Sequence, residues 1–278
     1  MLIPRACLMG HPVAHSRSPM IHGYWLKQLE MQGGYDLKDI LPEDFDQFIK
    51  NLDAHGYVGG NITVPHKEAA FAAMDWRDPA CEAIGALNVV WLEKGRLHGL
   101  NSDVPGFVAN LDAGAPGWDA NGCTAVVMGA GGGARSAIYA LKQRGARVHI
   151  VNRGLTRAQA LVERFGPNIE AHDFAALPDL LPHADVLVNC TSCGMVGKPP
   201  LEVEITTLKR SAVVYDIVYV PLDTPLLAAA RARGHRTVDG LGMLLQQAGV
   251  GFEKWFGRRP SLTPELRTMI EADIRAKT

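Results

Sequence analysis

The chain has 278 residues, room for about two domains at roughly 150 residues each. Hydrophobic residues make up 47% and charged residues 21%, an ordinary globular balance, and 29 glycines with 17 prolines are too few for a collagen-like or low-complexity chain. Against 29 acidic residues, 28 basic ones leave no bulk positive field for a nucleic-acid backbone or an anionic membrane, so any anionic partner must be held locally.

The first residues lack a long apolar core with a small-residue cleavage site, and no run of about 18 apolar residues occurs. The expectation is a cytoplasmic protein. Five cysteines are an odd count without secretory features, so reduced thiols are expected. Cys190-x-x-Cys193 has no second such pair beside it and no histidine pair at zinc spacing, and no metal is expected.

To about residue 104, short apolar segments alternate with helix-like stretches at 20–29 and 43–52, which predicts an α/β domain. Its first polar cluster is His15-Ser16-Arg17-Ser18-Pro19. Ser18 suits a helix N-cap with Pro19 at the first helical position. In an extended lead-in, Ser16 and Ser18 also point the same way beside the positive helix end, as two hydroxyl donors for a small carboxylate would. Capping and ligand binding both stand at this point.

Asn61-Ile62-Thr63-Val64-Pro65 alternates, placing Asn61 and Thr63 on one face and Ile62 and Val64 in the packing on the other. A helix then starts at His66-Lys67. A first-turn lysine opposes the helix dipole by roughly 0.3–1 kcal/mol. Lys67 therefore breaks a local rule, either because it swings out into water or because it serves as a general acid. Asn88 follows Gly85-Ala86-Leu87, and Asp103 lies in a loop before the next helix. Asp103 caps that helix, or it approaches Lys67, keeps the ammonium charged and completes a proton-transfer pair.

The second region opens on the β-rich run 124–128, which stops at Gly129-Ala130-Gly131-Gly132-Gly133 and continues as a helix from Ala134. A strand at 147–151 follows Gly145, which suits a helix C-cap. Strand, glycine loop, helix and strand make a βαβ unit, and candidate strands at 186–189 and 212–216 extend it into a parallel doubly wound sheet. Gly129-x-Gly131-x-x-Ala134 fits the dinucleotide fingerprint, although a structural glycine turn would read the same. No carboxylate ends the second strand, where NAD enzymes grip the ribose. Asn152, Arg153 and Arg157 stand there instead, favouring the 2′-phosphate of NADP over a merely solvated basic turn. From about Gly240 the pattern is two helices, 243–256 and 263–275, which suggests a terminal pair packing back on the first domain.

Taken together these residues resemble the shikimate dehydrogenase family across nearly the whole chain. The resemblance rests on Gly10-x-Pro12-x-x-His15-Ser16-x-Ser18-Pro19, Asn61 to Lys67, Gly85 to Asn88, Gly99 to Asp103, Gly129 to Arg135, Asn152-Arg153, Asn189 to Met195, Asp216 to Tyr219 and Asp239 to Gln247. It implies an N-terminal α/β substrate domain, a Rossmann-like NADP-binding domain and C-terminal helices returning to the first, with divisions at 1–104, 105–239 and 240–278. It also implies reversible NADPH-dependent reduction of 3-dehydroshikimate to shikimate in chorismate and aromatic amino-acid biosynthesis, by a monomer or homodimer.

By matching position, Lys67 is the catalytic lysine and Asp103 its partner, and Ser16 and Ser18 bind the substrate carboxylate. Asn61, Thr63, Asn88, Asp103, Tyr219 and Gln247 match the ring-hydroxyl and carboxylate contacts. Gly129, Ala130, Gly131, Gly132 and Gly133 match the phosphate loop, Asn152, Arg153 and Arg157 the 2′-phosphate segment, and Thr191, Ile217 and Gly240 the remaining cofactor positions. The chain departs from the family pattern at Gly23, where Asn is usual, at Val89 and Ser102, where Thr is usual, and at Gly154, where Thr is usual. Quinate or an aminated shikimate is therefore the alternative substrate, and an NADPH-binding module without catalysis the third reading.

Overall fold

A computed structural model describes residues 3–277. The chain forms two compact units, one holding the chain up to Ser102 together with Leu245–Ile270, the other Asp103–Leu244 together with the chain from Glu271.

The first unit runs β1 (Arg5–Gly10), α1 (Ser18–Gln28), β2 (Gly34–Asp39), α2 (Pro42–Lys50), β3 (Gly59–Ile62), α3 (Lys67–Ala73), β4 (Trp76–Arg77), α4 (Pro79–Ile84), β5 (Val89–Glu93) and β6 (Arg96–Leu100). Its sheet has the order β2-β1-β3-β5-β6-β4. The β2, β1 and β3 strands are parallel, β5 runs against both β3 and β6, and β4 is parallel to β6. Met9, Phe45, Ile49, Leu52, Ile62, Leu87 and Val90 bury a core between the sheet and α2. On the outer strand β2, Asp36 accepts hydrogen bonds from Arg5 (2.5 Å) and from the Tyr57 hydroxyl (2.8 Å).

The second unit runs α5 (Asp103–Gly114), β7 (Thr124–Met128), α6 (Gly132–Gln143), β8 (Arg147–Val151), α7 (Leu155–Phe165), β9 (Ile169–His172), α8 (Leu177–Leu180), β10 (Val186–Asn189), β11 (Val213–Asp216), α9 (Pro225–Ala232) and β12 (Arg236–Val238). All six strands are parallel in the order β12-β11-β10-β7-β8-β9. Counted from β7 this is the doubly wound order, with its switch point between β7 and β10. Both faces of such a sheet are covered, and Val126, Val127, Val148, Ile150, Leu187 and Val214 are fully buried. Strands at 124–128, 147–151 and 186–189 match their sequence expectation residue for residue, and the fourth begins one residue later, at Val213. Gly145 has φ +79 and its N–H donates to the Lys142 carbonyl, the expected helix stop.

The C-terminal helices are α10 (Gly240–Phe256) and α11 (Pro264–Ala276), the first starting three residues before its expected start. Within the first unit, Trp255 donates to the Val90 carbonyl (2.8 Å), Trp25 to the Ser261 carbonyl (3.1 Å), and the Tyr24 hydroxyl pairs with that of Thr263 (2.8 Å). The ring of His22 stacks on Tyr35 (4.1 Å between centroids) and Phe252 (6.0 Å), with Trp25 and Trp255 edge-on to it. These contacts pack the body of α10 and the segment leading into α11 into the first unit, whereas the start of α10 and the chain from Glu271 belong to the second. Among the described residues no helix is long and apolar enough to cross a membrane, and all five cysteines are free thiols.

Candidate active site

In the first unit a polar network gathers where β3 and β6 end and β5 begins. The Tyr35 hydroxyl donates to Oδ1 of Asn61 (2.7 Å), and Nδ2 of Asn61 donates to the Asn88 carbonyl (3.1 Å). Asn88 is buried, its Oδ1 accepting from the Ser102 N–H (2.7 Å) and hydroxyl (3.2 Å) while its Nδ2 donates to Oε1 of Gln247 (3.3 Å). Asn61, Asn88 and Gln247 are thus locked in one orientation. Tyr35 was not among the expected site residues, and Ser102, in place of threonine, retains the useful hydroxyl.

The serines come together by a route different from the expected one. Ser18 is the first residue of α1 and not its N-cap, and Arg17 before it has near-helical angles (φ −93, ψ 0), so the lead-in is a turn and not an extended strand. That turn brings Ser16 Oγ within 3.2 Å of both the Ser18 N–H and the Ser18 hydroxyl. Val64 is also not in the packing but 68% exposed. The strand stops at Ile62 and a turn closed by the His66 N–H on the Thr63 carbonyl (2.9 Å) carries Val64 outward, while Thr63 stays half-buried. Lys67 is half-buried as the first residue of α3, a helix of seven residues. Asp103 is no loop residue: it is the first residue of α5 and is buried.

In the second unit the chain leaves β7 through Gly129 at φ +113, where a Cβ would also lie 3.1 Å from the Cys190 carbonyl group. Glycine alone suits both demands. Above Gly131 and Gly132 a Cβ would meet nothing within 4 Å, leaving open space in front of the N-terminal N–H groups of the 12-residue α6. Ala130 is half-buried, and Gly133 lies close against Ile217. A cleft of about 610 Å³ is lined by Gly129, Ala130, Gly131, Asn152, Arg153, Arg157 and Thr191 among others. The Asn152 amide donates to the Gly154 carbonyl (2.9 Å), and both arginines are exposed, with no carboxylate in ion-pair reach of either among the described residues. This glycine cradle and its paired guanidinium groups fit a dinucleotide carrying an extra phosphate.

Behind the cleft, Thr191 donates to Oδ1 of Asn189 (2.7 Å), whose Nδ2 donates to Oδ1 of Asp216 (2.9 Å). The Val218 N–H (3.0 Å) and the Thr224 hydroxyl (2.7 Å) also donate to this carboxylate. Burial pushes Asp216 up to about 6, against the pull of these donors. Cys190 and Cys193 sit in the same turn, where the Cys193 N–H donates to Thr191 Oγ1 (3.1 Å), and burial raises the Cys190 thiol far from reactive range. Gly240 is required by close approach, since a Cβ there would stand 2.2 Å from the Ile217 carbonyl oxygen. Tyr219 is half-buried just beyond β11.

A doubly wound sheet with a glycine-cradled helix end, joined to a separate mixed α/β sheet, defines a two-domain dinucleotide-binding protein. Residues 8–90 match the shikimate dehydrogenase substrate-binding domain, and residues 114–223 match shikimate/quinate 5-dehydrogenase. A shikimate dehydrogenase (NADP(+)) of Mesorhizobium japonicum is 57% identical over 274 residues, 98% of each chain. Shikimate 5-dehydrogenase from Thermus thermophilus, solved in complex with NADP(H) and shikimate, is 34% identical with a TM-score of 0.86, covering 99% of this chain and 100% of that one. Quinate dehydrogenase from Corynebacterium glutamicum, in complex with NAD, is 28% identical with a TM-score of 0.88, covering 97% and 99%. The chain belongs to the shikimate dehydrogenase family.

Proposed function

We propose that the protein catalyses the reversible, NADP-dependent reduction of 3-dehydroshikimate to shikimate, a step of chorismate and aromatic amino-acid biosynthesis. The observation that carries this reading is the 57% identity, over 98% of both chains, to a shikimate dehydrogenase (NADP(+)). The quinate dehydrogenase shares the fold at only 28% identity. NADP over NAD is supported by Arg153 and Arg157 at the end of β8, where no carboxylate stands to claim a ribose hydroxyl.

In this reading residues 1–104 bind substrate, residues 105–239 bind NADP, and the helices of 240–278 return to the substrate domain. Ser16 and Ser18 hold the substrate carboxylate through their adjacent hydroxyls, and Asn61, Thr63, Asn88, Tyr219 and Gln247 hold the ring hydroxyls and carboxylate. The cofactor's pyrophosphate lies over Gly129 to Gly133, its 2′-phosphate against Asn152, Arg153 and Arg157, Thr191 also contacts the cofactor, and Ile217 and Gly240 flank its nicotinamide end. When bound, NADPH supplies a hydride. Lys67 gives a proton to the developing alkoxide oxygen and takes it back in the reverse direction, a contribution of about 10²–10⁴ in rate. Asp103 is the acidic partner in this step and accepts a hydrogen bond from a substrate hydroxyl. The enzyme works in the cytoplasm, as a monomer or homodimer.

Absorbance at 340 nm tests the reading: purified protein with shikimate and NADP should produce NADPH. Turnover of quinate or an aminated shikimate without turnover of shikimate would replace the substrate assignment. NADP binding without turnover of any of the three would leave a binding module.

A further inference from the structure

We propose that His149, Glu170 and His172 form a binding site for a divalent transition metal of the zinc class. They lie on β8 and on β9, the edge strand of the parallel sheet. Its register sets His149 opposite Glu170 and Val151 opposite His172. Side chains two apart on a strand share a face, as do those paired across strands, so all three groups stand on one face of the two strands. No spacing motif announces this, because His149 and His172 are joined only by the intervening helix α7.

Nδ1 of His149 lies 3.0 Å from Nε2 of His172, and each of those nitrogens lies 3.9 Å from the same Glu170 Oε2. A triangle with those sides has its centre about 2.1 Å from each corner, the length of a zinc bond to imidazole nitrogen or carboxylate oxygen. A proton shared between the rings accounts for the 3.0 Å separation, and the Glu170 carboxylate stands at ion-pair range of both. At 3.9 Å it is too distant to accept a hydrogen bond from either ring, yet placed as a third ligand to one ion would be.

Two imidazoles and one carboxylate are a donor set suited to zinc or a neighbouring first-row ion and poor for calcium or magnesium. The His149 and His172 side chains are 13% and 22% exposed while that of Glu170 is 53% exposed, so water can complete the coordination from the solvent side. The site adjoins the cofactor segment, because the Asn152 N–H donates to the His172 carbonyl (3.1 Å). An ion here would tie β9 to β8 beside the residue that opens the proposed 2′-phosphate segment.

The test is calorimetric titration of zinc chloride into untagged, chelator-stripped protein without substrate or cofactor, so that its outcome is independent of the activity assay. One equivalent should bind per chain. His172→Asn should weaken binding by at least about 100-fold and Glu170→Gln by about 10-fold, scaled from the effects of losing metal-site partners. Cys193→Ser, which alters the half-buried thiol, should leave the affinity unchanged. Saturating zinc should raise the Tm of the parent chain and not that of His172→Asn. Because Glu170 is exposed, its variant should fold, and far-ultraviolet circular dichroism checks this for both. Absence of stoichiometric binding by the parent chain, or an affinity unaltered in both folded variants, overturns the proposal and leaves a hydrogen-bonded imidazole pair.

Discussion

Lys67 opens a helix of seven residues, where its charge works against the backbone dipole by roughly 0.3–1 kcal/mol. A first-turn lysine runs against this local preference, and the proposed proton transfer gives it a purpose. Lys67→Ala should lower kcat by at least about 10² while the KM for shikimate changes little, as for an interaction made chiefly in the transition state. A steady-state assay with an unchanged kcat would remove Lys67 from the mechanism. His22 carries a different load, since its ring is fully buried between aromatic side chains and burial pushes its pKa down to about 3 from 6.5. The unfolded chain takes up a proton that the folded chain refuses. This stabilising contribution is therefore complete above about pH 6.5 and is lost as the pH falls toward 3, by up to about 5 kcal/mol at 1.36 kcal/mol per unit. His22→Phe, which keeps an aromatic ring between Tyr35 and Phe252, should flatten the fall of Tm between pH 7 and pH 4. An equal fall in parent and variant would assign the acid sensitivity elsewhere.

Elements meet at glycines for two different reasons, and the difference can be measured. Gly240 lets the start of α10 approach the end of β11, so Gly240→Ala should lower the Tm by overpacking, at a cost of roughly 1–3 kcal/mol. Gly132, the first residue of α6, faces open space, so Gly132→Ala should not lower the Tm in the absence of ligand and should weaken NADP by intruding where the pyrophosphate is proposed to lie. Thermal melts paired with fluorescence titration separate the two, and a Tm loss in Gly132→Ala would contradict the open-space reading. At the end of β8, Arg153→Ala should weaken NADP at least about 10-fold more than NAD, one charge-assisted fork being lost. Equal weakening in the same titration would mean that no 2′-phosphate contact exists there.

Local pattern and strand pairing divide what the sequence reveals from what only the fold brings together. Strands buried on both faces are largely apolar, and Thr124–Met128 and Val186–Asn189 stood out for that reason, while Arg147–Val151 alternates Arg147 and His149 with buried Val148 and Ile150. The edge strand Gly34–Asp39 alternates Tyr35 and Leu37 with Asp36 and Lys38, a half-buried pattern unlike the apolar runs of the inner strands, and β4, only two residues long, carries no period at all. Val64 was misplaced because alternation predicts a face only while a strand lasts, and this one ends at Ile62. Glycine cradles and arginine turns are local in sequence and could be read from it. The Tyr35 bond to Asn61 and the convergence of His149 on His172 depend on strand pairing across 26 and 23 residues, which no local spacing encodes.

Over the whole molecule the charges nearly cancel, so resistance to self-association must come from where they sit and not from how many there are. The outermost strand β2 exposes backbone groups that a foreign strand could extend. Its Asp36 is held by Arg5 and Tyr57, and Lys38 lies over the Tyr57 ring at 5.5 Å from the ring centroid. An intruding chain would have to strip water from these charges before it could zip on. The same ribbon that steadies Asn61 from within thereby discourages amyloid-like growth from without.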